Sequence, residues 1–243
     1  MKVEKITSGI YFIEGEDEFM PDSHVYIIGE PDSHDLSLVD AGLFGKGNKK
    51  IQAIKEAGIN LKDIKRVIMT HTHLDHIGAL KEIKEKLPNL EIWVHKTEAQ
   101  QLEEGDERTV YGMEMFKQMF QMQFGIKPGE FGFKVDRKLE GGETLNIGNM
   151  KWRVIHVPGH SMGSIALYNP HKMVLISGDV IYADYNIGRF DLFGASGKQL
   201  KESLFQLAKL KVRILLPGHN RIVKNVEHDY ILKTATQWEP YLI

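Results

Sequence analysis

The sequence contains no cysteine. That absence excludes disulfides, a thiolate zinc knuckle and a cysteine nucleophile, so any transition metal must be bound through nitrogen and oxygen. Histidine and the carboxylates are the remaining donors. There is no run of about eighteen apolar residues, the length a membrane-spanning helix needs. The opening Met1-Lys2-Val3-Glu4-Lys5 lacks the basic-then-apolar order of a signal peptide. The expectation is a soluble, cytoplasmic protein with no membrane partner. An excess of one charge is lacking too: 31 Lys and Arg stand against 33 Asp and Glu, a formal net charge of −2, which gives no global pull toward nucleic acid. Repeats, low-complexity tracts and linkers are missing as well. What is present is 243 residues, 42% of them apolar, enough to bury a substantial core. Residues 1–243 are expected to form one domain.

Short apolar runs rich in β-branched residues stand at Ile10–Ile13, Val25–Ile28 and Leu36–Val39, separated by turn signals such as Glu30-Pro31-Asp32-Ser33. They read as an antiparallel meander. After Asp40-Ala41-Gly42 the pattern turns helical, with Ile51 and Ile54 spaced for one buried face and Gly58 as a stop. A buried strand over 66–70 is expected next, then a helix over 77–86 ending before Pro88, a strand over 92–95 and a helix over 97–104 capped by Thr97. The second half repeats this logic, with strands near 152–157, 165–168 and 173–177, a helix over 198–210 and a strand over 212–216.

Between the halves lies an unusual stretch. Met113, Phe116, Phe120 and Phe124 form one helical stripe and Met115, Met119 and Met122 an adjacent one. Its width reads first as that of an ordinary core helix. The sharper reading makes the segment about 109–125 a lid over a hydrophobic acyl pocket or a homodimer contact.

The chemistry concentrates in His71-Thr72-His73-Leu74-Asp75-His76. Residues two apart on an extended segment point the same way, so His71 and His73 can face one ion. Asp75 and His76 follow at the turn into the next helix, where they can face a second. Three further strand ends lead into His160, Asp179 and His219, each directly after a glycine that permits a tight turn and close backbone approach. His34, His171 and His228 read as ordinary satisfied polar residues, not ligands. His95 and His156 are intermediate, His156 being placed to pack behind the ligands.

This pattern, H-x-H-x-D-H followed by lone His, Asp and His after strands, resembles the metallo-β-lactamase superfamily. The likeness covers nearly the whole chain, because Leu38-Val39-Asp40-Ala41-Gly42 also matches that family's early Asp-x-Gly turn. It implies an α/β (α+β) fold, a four-layer αββα sandwich of two mixed β-sheets with the metals at the strand ends. It also implies His71, His73 and His160 on one ion, Asp75, His76 and His219 on the other, and Asp179 bridging both. Two divalent ions, zinc first with iron or manganese also accepted by such donors, would share a bridging hydroxide as nucleophile. In that scheme Asp179 orients the hydroxide and Asp75 shuttles its proton. Tyr182, at the offset where the family's lactonases carry a tyrosine, is a candidate oxyanion donor. Asp40 is expected to orient a ligand from behind. His24 stands where relatives commonly place asparagine.

The segment Ile187-Gly188-Arg189-Phe190-Asp191-Leu192 looks like that of the glyoxalase II group, which favours a small-molecule acyl substrate and hydrolysis of an ester, thioester or lactone. Arg189 and Asp191 are expected to pair and shape that loop. So little chain follows His219 that the glutathione-binding helical domain of glyoxalase II is expected to be missing, which argues against a glutathione thioester. The superfamily's nucleases carry added domains and basic surfaces, which this chain is not expected to have. The principal alternative is a mononuclear-iron persulfide dioxygenase, whose iron would sit on His71, His160 and Asp179. A non-enzymatic metal-binding partner module ranks lower.

Overall fold

Alternating burial along the strands sorts the core of the computed structural model, which describes residues 1–16 and 20–243, into layers. Strands β1 (Val3–Thr7), β2 (Ile10–Ile13), β3 (Val25–Ile28), β4 (Leu36–Val39), β5 (Ile64–Ile68), β6 (Glu91–His95) and β7 (Arg137–Leu139) form one sheet in that order. It is antiparallel as far as β4 and parallel from there on, so it is mixed. A second mixed sheet runs in reverse order through β13 (Val223–Lys224), β12 (Ile214–Pro217), β11 (Val174–Gly178), β10 (Ile165–Asn169), β9 (Met150–His156) and β8 (Thr144–Ile147).

Helices α1 (Gly47–Glu56), α2 (Leu74–Ile77), α3 (Leu80–Lys86), α4 (Lys96–Glu104), α5 (Arg108–Tyr111) and α6 (Glu114–Phe124) precede α7 (Gly197–Leu207) and α8 (Tyr230–Trp238). Period-two burial explains the stacking. Val39 and Ile68 face inward to Trp152, Leu167 and Ile176 of the other sheet, whereas their neighbours Leu38 and Val67 face outward to Ile51, Ile54 and Ile83. On the far side Ala166, Leu175 and Leu215 pack on Leu200, Leu204 and Ile231 of α7 and α8. The result is the expected αββα order. Among the described residues no helix is long and apolar enough to cross a membrane.

Several local expectations shift. The strand expected over 66–70 is β5, ending at Ile68, because Thr70 N donates to the Asp40 carboxylate (2.7 Å) instead of continuing the ladder. The helix expected over 77–86 is split into α2 and α3, and Asp75 and His76 lie on α2 itself, not on a turn before it. The chain bends there because Ala79 N donates to Gly42 O (2.8 Å). Helix α4 is capped by His95, whose ring accepts from Thr97 N, not by the Thr97 side chain. Strands β1, β7, β8 and β13 and helix α8 are not marked by the sequence. Strand β7 has three residues, two of them exposed, and α8 has no side-chain cap.

The core-helix reading holds for the Phe stripe, where Phe116 and Phe124 pack against the same cluster as Phe120, and fails for the Met stripe. Only Phe120 of α6 is buried, while Met115, Met119 and Met122 are 67%, 39% and 88% exposed.

Candidate metal centre

The strands β4, β5, β11 and β12 end at a common edge; the loops that follow them carry Asp40, His71 and His73, Asp179 and His219, and α2 adds Asp75 and His76. The loop after β9 brings His160 to the same place. Two clusters result among the described residues: His71, His73 and His160, all buried, and Asp75, His76, Asp179 and His219.

In the first cluster His160 Nε2 lies 3.2 Å from His71 Nε2 and 2.9 Å from His73 Nδ1. Burial holds all three rings neutral: His71 is pushed well below its ordinary pKa, His73 down to about 3 and His160 downward. The protons are accounted for on the outer side. His160 Nδ1–H donates to Arg189 O (2.7 Å), and His71 Nδ1–H donates to the Thr70 hydroxyl (3.1 Å), which itself donates to Asp40 Oδ2 (2.8 Å). Both Nε2 lone pairs therefore point inward. A tetrahedral ion with metal–nitrogen bonds of about 2.0–2.1 Å sets its donors roughly 3.3 Å apart, which these three nitrogens approach.

In the second cluster His76 Nε2 is 3.3 Å from Asp179 Oδ1, and His219 Nε2 is 3.0 Å from Asp75 Oδ2 and 3.5 Å from Asp179 Oδ2. Burial alone would raise the carboxyls, but His219 and His76 outweigh it and hold Asp75 at about 2 and Asp179 well below its ordinary range. Reciprocally, burial would lower His76 and His219, but Asp179 and its neighbouring carboxylates, Asp40 for His76 and Asp75 for His219, raise both. Asp179 Oδ2 also lies 3.7 Å from His160 Nε2, so this carboxylate stands between the clusters.

The fit to metal rests on atoms that proximity alone leaves unsatisfied. His76 Nε2, His219 Nε2 and Asp179 Oδ1, which face one another in the second cluster, are buried with no hydrogen bond of acceptable geometry. Groups this close and this poorly aligned for one another are arranged as ligands around common centres.

Two glycines make the approach feasible. A Cβ on Gly218 would stand 2.0 Å from Asp179 Oδ1, and Gly159, at φ +137°, passes so near the next helix that its Cβ would stand 2.2 Å from Leu200 N. Asp40 is itself left-handed at φ +61° and takes His76 Nδ1 at 2.9 Å. It orients a ring from behind and does not join either cluster, as expected.

Other expectations separate cleanly. His95 and His156 stack on each other with centroids 4.0 Å apart, and the His156 ring faces Met162 O, not the clusters. His34, His171 and His228 are exposed. Arg189 and Asp191 form a two-pronged ion pair at 2.8 Å. Tyr182 stands beside His219, ring centroids 6.3 Å apart, and burial together with the Asp179 carboxylate pushes its phenol well above 10.

Sequence reasoning missed three supports. Buried Glu98 accepts from the Thr72 hydroxyl (2.9 Å) and Gly163 N (3.0 Å), tying the His71–His73 loop to the loop of His160. Lys50 and Asp22 pair in the interior, Nζ lying 2.5 and 2.7 Å from the two carboxylate oxygens. His24 accepts from Gly15 N (3.0 Å) at Nδ1 and so donates from Nε2 to Asn220 O, while His24 N donates to Gly218 O (2.8 Å) and the Tyr26 hydroxyl to Pro217 O (2.5 Å). The segment 24–26 thus splints the loop of His219 on both sides. The departure from asparagine at position 24 was the only sequence signal for it.

Above the clusters opens a cavity of about 510 Å³. Its floor is His73, Asp75, His160, Asp179 and His219, and its walls are mainly apolar, including Val110, Phe116, Met119 and Phe120.

Comparison with known proteins agrees with this geometry. The chain is 29% identical over its whole length to the probable metallo-hydrolase YqgX of Bacillus subtilis, covering 95% of that protein. It is 31% identical to the hydroxyacylglutathione hydrolase GloC of Haemophilus influenzae over 66% of this chain and 67% of that one. To the human acyl-coenzyme A thioesterase MBLAC2 it is 32% identical over 47% of this chain and 40% of the other. Among solved structures, TTHA1623 in a di-iron-bound form superposes with a TM-score of 0.66 at 26% identity, covering 87% of this chain and 94% of that one. Residues 21–219 match the family profile of the metallo-beta-lactamase superfamily, and the chain belongs to that superfamily.

Proposed function

We propose that this metallo-hydrolase cleaves an acyl bond, an ester, thioester or lactone, at a dinuclear centre. The observation that carries the reading is the pairing of two complete donor clusters, sharing Asp179, at the floor of an apolar cavity. His71, His73 and His160 would hold one ion, Asp75, His76 and His219 the other, with Asp179 between them. Bound there, two divalent ions supply Lewis-acid charge and a water of lowered pKa. Zinc suits the donor set and iron is equally compatible, as the di-iron form of TTHA1623 illustrates for that relative.

The side chains do the rest. Asp179 and Asp75 stay ionised, so they can orient the attacking water and accept its proton. Tyr182 stays protonated and partly exposed at the cavity, so it can donate to the oxygen that gains charge as the acyl carbon is attacked. Tyr182→Phe should lower kcat by roughly 10²-fold with metal content unchanged; an unaltered kcat would remove Tyr182 from the reaction. An acyl substrate is further supported by the similarity to GloC, a hydroxyacylglutathione hydrolase, and MBLAC2, an acyl-coenzyme A thioesterase.

His24 supplies a check on the second ion. His24→Phe keeps an aromatic ring beside Phe12, whose centroid is 4.9 Å away, but removes the hydrogen bond to Asn220 O. One of the two ions should then bind roughly 10–100-fold more weakly, read by chelator titration. Wild-type affinity for both would show that the splint does not position His219.

The reading as a whole is tested by metal analysis of freshly purified protein followed by assay against thioester, lactone and phosphodiester panels. Two ions per chain with acyl turnover supports it. One iron per chain with oxygen uptake on a persulfide would replace it with the dioxygenase.

A further inference from the structure

The reading above leaves the acyl group unnamed, and the cavity walls narrow it. Helix α6 presents Phe116, Met119 and Phe120 to the cavity, α5 adds Val110 and Tyr111, and Leu192 adds to the apolar wall, all above the metal floor. Phe116 and Phe120, ring centroids 6.1 Å apart, make this wall a short aromatic rail with Met119 beside it, and Phe124 continues the row away from the cavity, 6.3 Å from Phe120. The segment is clasped over the site. The Arg189 guanidinium lies 5.5 Å from the Phe116 ring, that of Arg108 lies 4.4 Å from the Phe193 ring, and Phe193 N donates to Gly112 O at 2.9 Å.

Arg189, the cation at this wall, is already satisfied by Asp191. A polar acyl group placed along the rail would lose its hydration with little to replace it. An alkyl chain would lose nothing, and unbranched methionine adapts to chains of different length. At about 30 Å³ for a methylene-sized unit, the cavity of about 510 Å³ has room for the scissile group and a chain of roughly ten carbons.

We infer that this protein is selective for unbranched medium-chain acyl groups, the α5–α6 wall serving as the chain-length ruler. The inference rests on the proposed acyl hydrolysis, and its test separates the two. The binding arm uses non-hydrolysable S-ethyl and S-decyl thioethers of N-acetylcysteamine, titrated calorimetrically into the metal-loaded protein. The decyl probe should bind at least tenfold more tightly, since each buried methylene contributes up to roughly fourfold. Met119→Glu, at a half-exposed position that tolerates charge without unfolding, should abolish the difference.

The catalytic arm uses acyl-N-acetylcysteamine thioesters from acetyl to hexadecanoyl. kcat/KM should climb two- to threefold per methylene to about C10 and then level or fall. Met119→Glu should cut the decanoyl-to-acetyl ratio at least tenfold. Equal affinity for the two thioethers, or a flat chain-length profile, would overturn the ruler. Discrimination between the thioethers with no turnover of any acyl substrate would uphold the ruler and sink the hydrolase.

Discussion

Asp179→Ala should reduce kcat/KM by roughly 10³-fold or more and lower the metal content of purified protein, while leaving the fold intact. The carboxylate lies within 3.7 Å of ring nitrogens from both clusters, His160 Nε2 on one side, His76 Nε2 and His219 Nε2 on the other. In the proposed dinuclear centre its loss would take a ligand from each ion and also the negative charge that offsets two divalent cations in a buried site. Folding should survive because the side chain packs against Gly218, so truncation removes a contact without forcing a clash. Circular dichroism, metal analysis and steady-state kinetics on one preparation make the test, and near-wild-type turnover would refute the shared-ligand role. Asp179→Asn sharpens it, since the amide keeps the shape and removes the charge.

The second large effect concerns stability. Lys50 is 1% exposed and Asp22 is fully buried, and their contact closes the loop that leads from β4 into α1. The carboxylate also accepts from Leu43 N (2.7 Å) and Glu16 N (3.1 Å), so it locks two backbone segments beside the site. Lys50→Ala strands that charge in the interior, and breaking a buried pair from one side costs about 3–5 kcal/mol. For a chain of this size the melting temperature should fall by roughly 10 °C. Lys50→Met with Asp22→Asn should recover part of the loss, because the stranded charge is gone. A single-variant melting point within a degree or two of wild type would mean that water reaches Asp22.

Much of the centre was legible before any coordinates. His71 to His76, His160, Asp179 and His219 announce themselves because each lies at the end of a strand, and strands are marked by local periodicity that the eye can follow. The layer order came from the family resemblance, and the fold supplies its physical reason: Leu38 beside Val39 and Val67 beside Ile68 face opposite layers. The supports were not legible. Glu98 meets Thr72 and Gly163 at separations of 26 and 65 residues, and Asp22 meets Lys50 across 28. Nothing local in a helix such as Lys96–Glu104 distinguishes a glutamate that faces solvent from one that braces a metal loop. Helix α6 failed differently. Its apolar face was correctly seen, but an apolar face says only that water is disfavoured there, not whether protein or ligand covers it.

That helix turns Phe116, Phe120 and Phe124 to the body of the molecule and leaves its methionines outside, whereas the ligand loops are braced by Asp40, Glu98, His24 and the two sheets. On the proposed reading, reactivity and choice of substrate sit in separate parts of the chain. The exposed methionines at 115, 119 and 122 can be rewritten by drift or by design at little expense to folding, with the ligand loops unchanged. A scaffold divided in this way can acquire a new substrate without reinventing its chemistry.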